Sequence, residues 1–368
     1  MSDQNSPPAP SATTVLCIVL NYRTAAMTLR AVACARIAMA PLNGLIVVVD
    51  NDSQDGSFEV MRDHVAQADW SDVTVTASGR NGGFGAGNNH GIKVGLEAAE
   101  TIGQLPDFIY ILNSDAFPEP DAIITLVNHM QASPSTGFAG SLIYGEDGAN
   151  HLATFRFPSL KGELEGAMRF GPVSRLLSEA RVPLDIPAPV IEAGQPITLD
   201  WVAGASLLMR REMLERIGLF DERYFLYFEE TDLCLRGQRA GYHVDFVPHS
   251  RVMHIGSAST GMGRWDRTPA YWFRSRWYYY LKNHGRITAT SATLLHLLGG
   301  VVHRLRRWVR LQRTDDPDHF LRDLLRNDAV ALLRPLPSPC IPNLPATHAV
   351  HCPSDLTQSA PSDTLNKV

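Results

Sequence analysis

Cysteine is scarce and scattered. The five cysteines, Cys17, Cys34, Cys234, Cys340 and Cys352, form no C-x-x-C pair in the 368 residues. That spacing excludes a zinc site built on cysteine pairs and does not read as a disulfide framework, so buried or incidental thiols in a reducing compartment are expected. Long apolar runs are missing too. The longest uncharged stretch, residues 287–303, is interrupted by His296, Gly299, Gly300 and several Ser/Thr. A spanning helix needs about 20 predominantly apolar residues, so no transmembrane segment is expected. The opening MSDQNSPPAPSATT has neither a basic nor an apolar region. It reads as a disordered leader over residues 1–13 and not as a secretory signal. Charge is modest, at 19% Asp, Glu, Lys and Arg with a net of −5, which argues against nucleic acid as a partner. No internal repeat is visible. The 45% hydrophobic content excludes a wholly disordered chain.

The charge is unevenly placed. Residues 264–313 hold 11 of the 33 Lys/Arg, a single acid (Asp266) and four of the six Trp. The rest of the chain is strongly acidic. Such asymmetry points to a distinct partner for the basic end.

Short apolar runs at Val15–Leu20, Leu45–Val49, Val73–Thr76 and Phe108–Leu112 alternate with helical stretches at Ala25–Ala40, Phe58–Ala68, Lys93–Glu100 and Pro118–Met130. This alternation predicts βαβ units and a mostly parallel sheet. Trp201–Arg210 and His243–Val247 resume strand-like patterns, and residues 156–196 read as a long loop with short helices. The chain divides into a leader (1–13), an α/β domain (14–263), a basic, aromatic helical extension (264–334) and a Pro-rich disordered tail (335–368).

Ligands of open α/β sheets sit beyond the carboxyl ends of the strands. Three polar clusters lie there: Asn21-Tyr22-Arg23, Asp50–Ser57 and Asn113-Ser114-Asp115. The second can bind a ribose or base, or Ser53 or Asp55 can simply cap the next helix. The third offers hard oxygen donors for Mg²⁺ or Mn²⁺, or an Asx turn. The turn from Asn81 through Gly83 to Asn89 is glycine-dense before a helix, a loose match to a phosphate cradle. His254 joins Asp115 only if the fold brings them together. Glu229, Glu230 and Asp232 lie within four residues behind the aromatics 225–228. Adjacent acids in an apolar frame raise one another's pKa, which can poise one as a general base. The other reading is a solvated helix N-terminus.

In order, VLNYR, VVVDNDSQDGS, RNGGFGAGNNHGI, YILNSDAFPEPD, WVAGASLLMRREMLERIGLFDERYFLYFEETDLCLRGQRAG and VMHIGSAS resemble family 2 glycosyltransferases. The likeness is to inverting enzymes of the GT-A fold, in the rhamnosyltransferase-like and galactofuranosyltransferase-like branch. It covers residues 14–259. The resemblance implies a Rossmann-like mostly parallel sheet flanked by helices, and an enzyme moving a sugar, rhamnosyl-like, from a dTDP- or UDP-linked donor to a glycan or lipid-linked acceptor. It implies that Asn21, Asp50, Asn51 and Ser53 hold the base and ribose, and that Asn81 and Gly83 line the pocket. Asn113-Ser114-Asp115 would be the D-x-D-like motif, with Asp115 and His254 ligating Mg²⁺ or Mn²⁺. Glu230 would be the base, with Glu229 and Asp232 orienting it or contacting the acceptor, and Trp201 and Gly204 would shape the acceptor side. Two departures stand out. Asn113 replaces an acid, and Glu230 stands where relatives often carry Asp.

Two other functions are weighed. A nucleotidyltransferase making nucleotide sugars normally needs a Gly-rich, basic loop after the first strand, where Asn21-Tyr22-Arg23-Thr24 stands instead. A decayed carbohydrate-binding protein is suggested by Asn113. In 264–313, apolar residues from Leu294 to Val309 recur at helical spacing beside arginines. They read either as a face for an anionic membrane, suited to a lipid-linked acceptor, or as a helix packed on the domain. Gly299-Gly300 argues against a continuous helix. The expected location is cytoplasmic, peripheral on the inner face of the plasma membrane.

Overall fold

A computed structural model describes residues 13–256, 265–313 and 316–344. The first half follows the alternation closely: β1 (Thr14–Asn21), α1 (Ala25–Met39), β2 (Asn43–Asp50), α2 (Ser57–Gln67), β3 (Val73–Ala77), α3 (Phe84–Thr101) and β4 (Phe108–Asn113). The apolar strands β1, β2 and β4 are buried on both faces, as parallel strands covered by helices must be. β1 lies parallel between β2 and β4, with Asn21 opposite Asp50 and Leu20 opposite Asn113. That register brings all three polar strand ends to one edge of the sheet.

The chain continues through β5 (Ala116–Pro118), α4 (Ala122–Ala132), β6 (Thr136–Tyr144), β7 (Thr154–Phe155), the short helices α5 (Leu160–Met168), α6 (Gly171–Leu176) and α7 (Ala188–Glu192), and β8 (Ile197–Leu199). Then come β9 (Trp201–Val202), β10 (Ser206–Arg210), α8 (Arg211–Ile217), α9 (Glu229–Arg239), β11 (His243–His254), α10 (Ala270–Val309) and α11 (Phe320–Leu332). The main sheet runs β3-β2-β1-β4-β10-β6-β11-β5, with β8 on β11. One apolar cluster packs α1, α2 and α4 on one face; a second packs α3, α8 and α9 on the other. This is the mostly parallel, helix-flanked α/β sheet that the sequence implies.

Several expectations need correction. The glycine-dense turn is mostly helix, since α3 begins at Phe84. Gly87, Gly91 and Gly95 recur every four residues, and a Cβ at each would collide with Leu20, Ile18 and Leu16 of β1. These glycines serve close helix–sheet approach rather than a phosphate cradle. The single strand expected at 201–210 is two, β9 and β10, and the break between them carries Gly204. The central strand β6 had no separate expectation; its small residues Gly137, Ala139, Gly140 and Ser141 mask the strand pattern.

The basic end is not a separate appendage. α10 runs through Gly299-Gly300, because both glycines sit hard against α5 and α11, at Ala167 and Leu321. The helix breaks instead at Gly285, whose φ of 84° and ψ of 169° suit glycine alone. Ahead of that kink, Phe273 and Trp277 to Leu281 are buried in the domain. Residues 335–344, expected in the disordered tail, are docked: Leu219 and Glu222 donate backbone N–H groups to the carbonyls of Pro342 and Cys340. Cys340 is disulfide-bonded, contrary to the all-thiol expectation, whereas Cys17, Cys34 and Cys234 are free. The leader to residue 12, the boundary at 263/264 and the tail from 345 lie outside the described residues.

Candidate active site

The corner beyond β1 and β2 is a closed hydrogen-bond lattice. The Asp50 carboxylate accepts from Asn21 Nδ2 at 2.7 Å, Ser53 Oγ at 2.6 Å and the Ser53 N–H at 3.1 Å. Asn21 Oδ1 accepts from the Thr28 hydroxyl at 2.7 Å and the Thr24 N–H at 3.2 Å. Asn21 and Ser53 are wholly buried. They therefore form a buried floor beyond the strand ends, with Asp50 at its centre. Asn51 Nδ2 donates to Asn81 Oδ1 and to the Gly83 carbonyl at 3.1 and 3.3 Å. Asn81 Oδ1 also accepts from the Gly83 N–H. The 81–83 loop is thus pinned to β2. Gly83 has φ 90°, and a Cβ there would strike the Phe225 carbonyl, so the loop meets the aromatic segment ahead of α9.

Arg23 was not singled out by the sequence beyond its place after β1. It holds a left-handed φ of 58°, as do Asp52 and Gln54 at 60° and 54°. Such backbone is sparsely populated outside glycine and clusters at functional sites. Arg23 donates its own N–H to Ser53 Oγ and its Nε to the Ser53 carbonyl. An exposed guanidinium therefore stands at the rim of the floor.

Beyond β4, Asp115 Oδ1 and His254 Nε2 are 3.0 Å apart. They are 139 residues apart in sequence, and the antiparallel pairing of β11 with β5, with His254 opposite Ala116, brings them together. Two residues before Asp115, the Oδ1 of Asn113 is buried with no hydrogen-bond partner. Thr24 Oγ1 links the first floor to this corner through Ser114 Oγ at 3.2 Å. A carboxylate, an imidazole and an unpaired amide oxygen fit a divalent cation that takes its other ligands from a diphosphate and water. Among the described residues no three His, Cys, Asp or Glu side chains form a self-sufficient metal cage.

The acidic motif opens α9. Tyr227 and Phe228, immediately before it, are both left-handed at φ 68° and 70°, each at a cost of about 1–2 kcal/mol for an L-residue. Aromatic packing holds them: Phe228 lies against Trp272 and Tyr279, and Tyr227 against Trp265 and Tyr271. The sharp turn sets Glu229 and Glu230 at a helix N-terminus. Glu229 is 2% exposed. Burial, reinforced by the charge of Glu230, pushes its pKa well above the carboxylate range. Burial also raises Glu230, against the pull of its own N–H and that of Gly204. The Oε2 atoms of both are buried without a hydrogen-bond partner. Burial and mutual repulsion therefore both disfavour ionisation of the pair. Because Gly204 is next to Ala205, whose carbonyl accepts from the Asn113 N–H at 3.1 Å, the glutamates and the Asp115–His254 corner share one strand end.

Asp232 does something else. Its side chain is fully buried, with Lys282 Nζ at 2.7 Å and Arg236 Nε at 3.0 Å on Oδ2. Asn283 Nδ2 and the Tyr224 hydroxyl donate to Oδ1. Burial raises its pKa, but the Arg236 and Lys282 charges outweigh this and hold it below the usual range. With four donors on its two oxygens, Asp232 is engaged within the fold and anchors the first turn of α9. Lys282 also reaches Asp221 Oδ2 at 2.7 Å, where the Tyr278 hydroxyl joins it at 2.9 Å. These partners come from α10, far along the chain, and the sequence offered no signal for them beyond the basic composition of the segment. Trp201 stacks on Phe155 with centroids 4.1 Å apart and gives its indole N–H to the Arg156 carbonyl. One face and its only polar atom are therefore spent.

A family model described as "Glycosyltransferase like family 2" matches residues 12–286. The chain is 30% identical over 227 residues to N-acetylglucosaminyl-diphospho-decaprenol L-rhamnosyltransferase of Mycobacterium tuberculosis, spanning 59% of this chain and 68% of that protein. It is 26% identical over 174 residues to rhamnosyltransferase WbbL of Escherichia coli, spanning 47% of this chain and 61% of that one. In fold it is similar to the crystal structure of GalNAc-T7 with UDP, GalNAc and Mn2+, at a TM-score of 0.50 and 16% identity over 91% of this chain and 60% of that chain.

The ion network makes a direct prediction. Lys282→Met leaves Asp221 and Asp232 buried and short of a cation, a change that typically costs about 3–5 kcal/mol. Urea unfolding of the variant should show a loss of that size, and an unchanged midpoint would contradict the network's role.

Proposed function

Since the chain belongs to glycosyltransferase family 2 and is a glycosyltransferase of the GT-A fold, we propose that it transfers a sugar, rhamnosyl in the first instance, with inversion from a dTDP- or UDP-linked donor to an acceptor hydroxyl. The observation that carries the reading is the meeting, at one strand end, of Glu230 with the Asp115–His254 corner through Gly204, Ala205 and Asn113. The acceptor is a glycan carried on a lipid, in line with the name of the mycobacterial relative. The process served is the building of cell-surface polysaccharide. This places the protein in the cytoplasm, peripheral on the inner face of the plasma membrane, with an anionic lipid surface as the partner of its basic end, 264–313.

Asn81 and Gly83 form the wall above the Asp50 floor where the nucleotide lies. Asp50, Asn51, Asn21 and Ser53 hold that wall and floor rigid. Asp115 and His254, with Asn113 two residues before Asp115, would hold Mg²⁺ or Mn²⁺, which would supply charge to offset that of the departing diphosphate. The acceptor hydroxyl attacks the anomeric carbon from the side opposite the diphosphate. As the new C–O bond forms and the bond to the diphosphate oxygen breaks, the hydroxyl proton passes to Glu230. Glu229, more deeply buried and with its pKa pushed further up, is the acid less disposed to ionise and stands beside Glu230 as its neighbour. Trp201, backed by Phe155, and the side-chain-free Gly204 leave room for the acceptor.

A panel of nucleotide sugars should give nucleoside diphosphate release with one donor. Glu230→Gln should lower kcat by about 10²–10⁴, the usual contribution of a general base, while nucleotide affinity stays near wild type. Asp115→Ala should weaken diphosphate binding and make it insensitive to EDTA. Full turnover in Glu230→Gln would remove that residue from the role.

The pH dependence follows from the same burial. A base with a raised pKa is active only when deprotonated, so kcat should fall as pH drops through a value above the ordinary glutamate range of about 4.3. A limb at or below that range would contradict Glu230 as base.

A further inference from the structure

The kink at Gly285 divides α10 into two halves with different environments. The first, to Lys282 and Asn283, grips α9. The second packs one face, including Ala292, Gly299, Gly300 and His303, against α5 and α11. Its opposite face is bare among the described residues. Ile287, Leu294, Leu298, Val301, Leu305 and Trp308 lie there at 85, 60, 54, 48, 56 and 73% exposure. Their spacing puts them in one stripe about 30 Å long, at 1.5 Å per residue. A contiguous apolar strip of that size is an interaction surface and not ordinary surface noise.

We infer that this stripe, and not the whole of 264–313, is the face by which the protein lies in an anionic lipid interface. Charge decides the occupant. No Asp or Glu occurs anywhere between residues 267 and 314. Arg304, beside the stripe, is paired with Asp316 at 3.4 Å, whereas the exposed Arg310 and Arg313 follow the stripe's end. A second copy of the chain docking through the same face would set Arg310 and Arg313 against their own counterparts. Phosphate-bearing lipid headgroups supply the missing charge, and Trp308 suits the depth at which headgroups meet acyl chains. Among the described residues no helix is long and apolar enough to cross a membrane, and a stripe along one face of a helix suits lying in the plane of the interface. The inward-facing half of the same helix holds α9, so the lipid-seated face and the catalytic helix are parts of one rigid assembly. The purpose of the surface rests on the proposed lipid-linked acceptor, whereas the evidence for it does not.

The test is co-sedimentation of the full chain with phosphatidylcholine vesicles, with and without 30 mol% phosphatidylglycerol (about a third of the lipid, a strongly anionic surface), at low and high salt. Binding should require phosphatidylglycerol and fall with salt. The double variant Leu298→Asp/Leu305→Asp should lose at least about tenfold in vesicle partitioning, since burying two charges in an apolar face is costly. Both positions are exposed, so circular dichroism and transfer to a water-soluble acceptor should stay unchanged. Absent or lipid-independent wild-type binding would overturn the inference, as would light scattering showing a dimer that the double variant dissolves. Vesicle binding without transfer from any donor would count against the transferase reading alone. Transfer without vesicle binding would count against this surface alone.

Discussion

One lysine holds the catalytic helix in place. Lys282 sits between two fully buried carboxylates, Asp221 and Asp232, at 2.7 Å from each. Arg236 completes the charge balance and also donates to the carbonyls of Ile217, Gly218 and Leu219. Buried ions are worth keeping only when paired and fully hydrogen-bonded, and these are. The network ties α9, the loop before it and α10 into one body. It even reaches residue 340, whose backbone N–H donates to Asp221. Asp232 is three residues from Glu229, so fixing it fixes the first helical turn and with it both glutamates.

That fixity allows the two uncomfortable features at the site. Tyr227 and Phe228 persist in left-handed backbone because aromatic rings from α10 pack around them. Glu229 and Glu230 are held side by side although burial and mutual repulsion disfavour their charged forms. A loose helix end would relax both, and the pair would separate and solvate. α10 thus braces the glutamate-bearing turn of α9, while its far end presents an apolar stripe to the outside.

The fold of the first half was legible because its strands are short, continuous and apolar, as buried parallel strands must be. The site was legible where chemistry and topology coincide: Asp50, Asn113-Ser114-Asp115 and Glu229-Glu230 all stand at strand or helix ends. Three matters were hidden. The glycines 87, 91 and 95 read as a loop because their reason, contact with Leu20, Ile18 and Leu16, lies on another element. Asp232 looked like a catalytic neighbour because its cation comes from 50 residues away. The basic composition of 264–313 concealed that Phe273 and the run from Ser275 to Leu281 are buried in the domain. Such long-range pairings leave no local trace in a single sequence.

The central claim is a single-displacement sugar transfer with one carboxylate acting as base. The most direct test is the anomeric configuration of the freshly formed product, read by proton NMR during turnover of whichever donor is accepted. Inversion relative to the donor is the predicted result. Retention would require a nucleophile on the other face of the sugar and would contradict the account.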